Sequence, residues 1–202
     1  MDNSTILPVN QFNLEPNIEQ IILVTAMPES SSGYLYAFEK NDKARWEQVL
    51  DTIPVVIGKY GMTANKSEGD GRSPLGLHKI GYAFGVGSKP RYIEMPYREI
   101  TSSDKFIDDP ESPDYNTWIS GETDAKSYER MKRKDDSYDL GLVIEYNMNP
   151  VVPAKGSAIF IHIWRSSTRG TQGCVAMDRD DIETILEWLK PDKNPHLYIL
   201  ES

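Results

Sequence analysis

The 202-residue sequence holds a single cysteine, Cys174, and only three histidines. One thiol excludes an intrachain disulfide and any multi-cysteine metal cluster. There is no His-Glu-x-x-His pattern either, so no metal site is expected. No apolar run approaches the ~18 residues needed to span a bilayer, which argues against membrane insertion. Basic runs are missing as well. Lys+Arg number 22 against 31 Asp+Glu, a net charge of -9, and such a chain is repelled by phosphate backbones and anionic lipid. Nucleic acid is therefore a poor partner. The opening MDNSTILPVNQFNLEPN is polar, has two prolines and does not read as a signal peptide.

What is present describes one globular domain. Hydrophobic residues make up 39% and charged residues 26%, and the length suits a single core. Residues 1–19 read as an extended N-terminal tail and 20–202 as the folded domain. Ile21-Ile22-Leu23-Val24 is a β-favouring run, followed by residues 34–38, 46–50 and 54–58. Asn41-Asp42-Lys43 suits the turn between the second and third, with a short helix over 43–51 as the competing reading. The glycine-dense stretch 68–76 lacks the Gly-Lys-Ser/Thr of a phosphate loop and reads as tight turns. Residues 102–121 read as a long irregular loop, its Phe106, Tyr115 and Trp118 demanding burial or a ligand. A helix is expected over 124–134, then core strands at 142–146 and 158–164. The fold class is mainly β with flanking helices (α+β).

The last helix has the clearest local signal. Asp178 can cap it, Asp180 and Asp181 suit its positive end, and Pro191 stops it. Ile182, Ile185, Leu186 and Leu189 fall on one face. The helix would pin the segment carrying Cys174 to the core.

Just upstream, His162 lies on the apolar run 158–164, with Arg169-Gly170 suggesting a turn between it and Cys174. The thiolate, not the thiol, is the nucleophile, and a thiol's reference pKa is near ~8.5. A neighbouring imidazole can take that proton and later protonate a leaving amine. The backbone N–H groups of Gly173 and Cys174 can serve a developing oxyanion. A lone cysteine in an apolar setting is also the ordinary description of an inert core residue. The residues by themselves leave both readings open.

Thr171-Gln172-Gly173-Cys174-Val175-Ala176-Met177, preceded by His162, resembles the active-site signature of the YkuD-like L,D-transpeptidases. The resemblance extends from about residue 55 to 189. Gly69-Asp70-Gly71-Arg72-Ser73-Pro74-Leu75-Gly76 is similar to the family's GDG-x-[ST]-P-x-G segment. Asp108-Asp109-Pro110 through Tyr115-Asn116-Thr117-Trp118 resembles a DDP…YNxW element of one branch, and Glu145-Tyr146-Asn147 a later one.

The resemblance implies a β-sandwich catalytic domain and an acyl-transfer enzyme acting on peptidoglycan stem peptides outside the cytoplasm. The alternatives it leaves are a hydrolase on the same scaffold, including a wall-attacking toxin, and a non-catalytic peptidoglycan-binding domain. Cys174 would be the nucleophile and His162 the base, with no metal or organic cofactor needed. The Gly173 amide would face the oxyanion, and the Ile163 carbonyl would orient the imidazole. Gln172, Thr171, Arg165, Arg169, Tyr115, Asn116 and Trp118 would contact substrate, and a monomer is favoured. Two positions depart from the usual pattern: Gln172 stands where many members carry His, and Ala176 where many carry Arg or Asn.

Overall fold

The computed structural model describes residue 9 and residues 12–202. Among these the strands are β1 (Gln20–Ala26), β2 (Ser32–Lys40), β3 (Trp46–Gln48), β4 (Ile53–Val56), β5 (Met62–Thr63), β6 (Ser73–Pro74) and β7 (Gly76–Gly85). They continue with β8 (Tyr97–Glu99), β9 (Asp104–Ile107), β10 (Trp118–Ser120), β11 (Tyr128–Arg130) and β12 (Leu140–Ile144). Last come β13 (Phe160–Ile163), β14 (Val175–Met177), the helix α1 (Arg179–Trp188) and β15 (His196–Glu201).

The main sheet runs β1-β15-β7-β12-β13-β14-β4-β2, and β2 pairs back onto β1. The layers of the expected sandwich are therefore parts of one sheet that closes on itself, leaving β3 and β8 as appendages. The fold is mainly β, with one α-helix among the described residues.

Strand side chains alternate between faces, and here the two faces do different work. Ile22 and Val24 of β1, Leu142 and Ile144 of β12, Ile161 and Ile163 of β13, and Val175 and Met177 of β14 meet in the enclosed core. Ile182, Ile185, Leu186 and Leu189 of the helix region join them, all with no exposed surface. Asp178 caps α1 by accepting from the Asp180 N–H at 3.2 Å. A ten-residue helix is marginal alone, so this burial is what holds it.

The outward residues of the same strands meet two covers. Ile21 and Leu23 lie under residues that include Ile18 and Phe12, whose ring stands edge-on to Tyr198 at 4.4 Å. The rest of the expected tail, residues 1–8, 10 and 11, lies outside the described residues. On the opposite side, Phe84, Val143 and Phe160 are covered by Phe106, Met131 and Tyr138 from a small sheet ordered β10-β9-β11 and the segment after it.

That small sheet corrects two expectations. Residues 102–121 are not irregular throughout, since β9 and β10 pair within them. Residues 124–134 contain no helix; Tyr128, Glu129 and Arg130 pair with Ile107, Phe106 and Lys105. A helix there would have offered only Ala125, Tyr128 and Met131 as an apolar face among many charges. The ladder on β9 satisfies the backbone and still buries Met131 fully.

Phe160 lies at the centre of the outer cluster, with Phe84, Phe106 and Tyr138 edge-on at 5.4, 5.1 and 5.5 Å. Phe160→Ala is expected to cost about 3–5 kcal/mol of unfolding free energy, read from urea denaturation. A loss below about 1 kcal/mol would show that the outer sheet collapses into the gap and is not a packed cover.

Candidate active site

β13 and β14 are parallel neighbours with His162 opposite Ala176. Since Ile161, Ile163, Val175 and Met177 point into the core, Phe160 and His162 point outward, and so do Ala176 and, two residues earlier, Cys174. Register and alternation thus bring the thiol and the imidazole to one face. Both line a pocket of about 190 Å³ that opens to solvent.

Cys174 is 6% exposed. Its sulfur accepts from the Phe160 N–H and donates to the Ala158 carbonyl, each at 3.3 Å. Burial, with the nearby Glu129 carboxylate adding to it, pushes the thiol up to about 12. His162 Nδ1 lies 2.9 Å from the Ile163 carbonyl oxygen. In the neutral ring Nδ1–H donates there, so Nε2 keeps its lone pair. Burial brings the imidazole down to about 4, and Arg133 and Arg165 push the same way. At neutral pH the resting site holds a thiol and a neutral imidazole.

The segment entering Cys174 is a side-chain-stapled turn. Thr171 Oγ1 donates to the Cys174 carbonyl at 2.6 Å and accepts from the Gly173 N–H at 3.0 Å. Its backbone bridges to the 57–59 segment through Thr171 N–H to Ile57 O and Lys59 N–H to Thr171 O. Gly173 has φ +144°, and a Cβ there would stand 2.9 Å from the Arg72 carbonyl oxygen. The glycine-dense segment supplies that neighbour and the clamp. Ser73 Oγ donates to the Gly173 carbonyl at 2.7 Å and accepts from the Gly58 N–H at 2.9 Å. Asp70 fixes the segment by accepting from Lys66 Nζ at 2.7 Å and from the Ser67 and Arg72 amides at 2.9 Å.

The pocket brings together some of the expected residues. Arg165, Arg169, Thr171, Gln172, His162 and Cys174 all line it. Thr171 does so with its hydroxyl already committed to the turn. The Gly173 amide, expected to face an oxyanion, donates to Thr171 Oγ1 in this structure. The Cys174 amide has no hydrogen-bond partner among the described residues.

Tyr115, Asn116 and Trp118 do not line the pocket. They staple the 108–118 segment to the core. The Tyr115 hydroxyl donates to Glu68 and accepts from the Gly156 N–H at 3.0 Å. Asn116 donates to the carbonyls of Tyr146 and Asn147 at 3.0 and 2.8 Å and accepts from the Ala158 N–H at 3.1 Å. Trp118 stands edge-on to Phe84 at 5.6 Å beneath the Arg98 guanidinium. Of the two readings open for these residues, burial and a ligand, the structure displays the burial.

Three pocket residues were invisible in the sequence: Glu129, Arg133 and Tyr138. The Tyr138 hydroxyl donates to Glu129, and its ring stands edge-on to His162 at 5.2 Å. Arg133 lies over the Tyr138 ring at 4.9 Å and pairs with Asp135 at 3.1 Å, as Arg165 does at 2.8 Å. Reading 124–134 as a helix hid the arrangement, because Glu129 and Arg133 at i, i+4 would then form an ordinary surface ion pair.

The family model for the L,D-transpeptidase catalytic domain, YkuD, matches residues 29–196. This chain belongs to that family. Among solved structures, it is similar to a point mutant of the helical cell shape determining protein Pgp2 from Campylobacter jejuni, with a TM-score of 0.47 and 15% identity. That similarity covers 92% of this chain and 51% of the other, so the chain spans about half the length of that protein. No curated protein matches the chain. Among the described residues of this YkuD domain, no helix is long and apolar enough to cross a membrane, and no group of three or more His, Cys, Asp or Glu is placed to hold a metal ion.

The two shifted groups make stability depend on pH from both sides. An unfolded histidine titrates near ~6.5 and the folded His162 near 4, so between those values the unfolded chain binds the extra proton. Acidification through that window is expected to remove roughly 3 kcal/mol of stability. An unfolded cysteine ionises near ~8.5, well below the folded Cys174, so stability also falls as pH rises above that value. Urea midpoints against pH check this: His162→Gln flattens the acid limb and Cys174→Ser the alkaline limb. Parallel curves for parent and variants would show that neither group carries the dependence.

Proposed function

We propose that this domain catalyses acyl transfer on peptidoglycan stem peptides through a thioester on Cys174. One observation carries the reading. The thiol and an imidazole with a free Nε2 share one face of adjacent strands and line one pocket. Membership of the YkuD family supports the substrate class.

Because the resting pair is neutral, proton transfer accompanies attack. Nε2 of His162 takes the Cys174 proton as sulfur bonds to the carbonyl carbon of the L-centre-to-D-centre amide. The Ile163 carbonyl holds the imidazole in place and favours the cation that forms. The oxygen, now carrying the negative charge, is met by the Cys174 N–H. The imidazolium then gives its proton to the departing amine, the C–N bond breaks, and a thioester remains. An incoming amine loses a proton to Nε2 as it attacks, the C–S bond breaks, and the proton returns to sulfur. An amine of another stem gives a 3-3 cross-link, a free D-amino acid gives exchange, and water gives a shortened stem. Gln172, exposed at the rim, takes no proton in these steps.

Such work places the domain in the cell envelope, outside the cytoplasm. Purified disaccharide tetrapeptide provides the test. The parent is expected to accumulate a Cys174-linked acyl adduct by intact mass and to yield dimers, exchanged stems or shortened stems by chromatography. Cys174→Ala should form no adduct, and His162→Gln should slow turnover by about 10²–10⁴. A parent that never acquires the adduct, or a Cys174→Ala variant that still converts the stem, would end the proposal and leave a binding domain.

A further inference from the structure

Glu129 and Arg169 line the thiol pocket, yet neither has a part in the proton transfers above. Glu129 is half-buried on β11. Its Oε2 accepts from the Tyr138 hydroxyl and faces Arg133 Nη1 at 3.8 Å. Its Oε1 takes no hydrogen bond among the described residues. Burial raises the pKa of this carboxyl, so a donor entering beside it relieves an unfavourable placement.

The arginines of the pocket are not equivalent. Arg133 and Arg165 both pair with Asp135, at 3.1 and 2.8 Å. Arg169 is exposed and pairs with no carboxylate among the described residues. Among the groups that line it, the pocket therefore has one uncommitted carboxylate oxygen and one uncommitted guanidinium.

We propose that Glu129 and Arg169 form the amine-side subsite, which takes an α-amino acid with a free carboxylate. Glu129 Oε1 accepts an N–H of the amine, and Arg169 takes the carboxylate one carbon away. This rests on the thioester reading of Cys174 and His162. The amine that leaves and the amine that attacks stand at the same position on the acyl carbon, so one subsite serves both. When the acceptor attacks, the C–N bond forms and the C–S bond breaks. One N–H proton goes to His162 Nε2 and then to sulfur, while Glu129 holds a second N–H without removing it. Water offers no carboxylate and does not span the subsite, so the pair biases the thioester toward amines.

The test loads the full chain with purified disaccharide tetrapeptide and offers glycine or glycinamide as acceptor. These probes differ in the carboxylate and have no configuration at Cα. Glu129→Gln keeps an acceptor for Tyr138 but removes the charge, and is expected to lower the ratio of transfer to hydrolysis about tenfold. Arg169→Ala is expected to raise the KM for glycine about tenfold and to erase the parent's preference for glycine over glycinamide. An unchanged ratio in Glu129→Gln, or a parent that treats both acceptors alike, overturns the subsite while leaving the thioester chemistry intact. A parent that forms no thioester defeats the underlying reading and the subsite with it. Should Glu129→Gln fail to fold, Arg169→Ala, at an exposed position, decides alone.

Discussion

The close passage of Gly173 beneath the Arg72 carbonyl is the constraint on which the rest of the site depends. A Cβ at this position would lie 2.9 Å from that oxygen, in a backbone conformation that L side chains rarely adopt. Because glycine permits the approach, Ser73 can reach the Gly173 carbonyl, and the glycine-dense segment and the nucleophile turn become one unit. Thr171 closes that unit from inside. Cys174 then emerges at the start of β14 already facing the outer side, where β13 presents His162. Sequence, turn and sheet register combine in that placement, and no side chain has to search for it.

Burial decides the electrostatic state of the pair. A pre-formed thiolate–imidazolium pair gains from mutual attraction, but both ions must then be held largely out of water, with a carboxylate beside the sulfur and guanidinium groups beside the ring. Desolvation wins at rest, so the thiol stays protonated and the imidazole neutral. For the proposed nucleophile, this keeps the thiol inert until an acyl group displaces solvent and offers the charge a place to go. The Ile163 carbonyl, accepting from Nδ1–H, opposes the shift and keeps the ring ready to become a cation.

What could be read from the sequence was whatever depended on local pattern. The last helix was legible because four apolar residues at helical spacing, an aspartate cap and a proline stop all agree over ten residues. The strand carrying His162 was legible as a β-branched and aromatic run. Two things were not. The 124–134 segment is charged and has weak periodicity, and it became a strand only because β9 lay beside it to be paired. The roles of Tyr115 and Asn116 depend on partners about 30 to 47 residues away along the chain, which no local pattern encodes. Both lie on the outer cover.

That division has a physical basis. The enclosed face of β12, β13 and β14 is apolar throughout and shared with α1, so altering it costs packing at once. The outer face is where the thiol and imidazole emerge, and its wall is supplied by β11 and the segment leading to β12. Tyr138 joins the two layers: its ring packs on Phe160 and His162 while its hydroxyl holds Glu129. Cys174 and His162 thus stand on the closed sheet. Of the two groups of the proposed amine subsite, Glu129 belongs to a cover attached by aromatic packing and by the Tyr115 and Asn116 staples, and Arg169 to the connection between β13 and β14. Substrate preference can shift by exchanging residues on the cover, while the geometry of Cys174 and His162 is held by the sheet beneath.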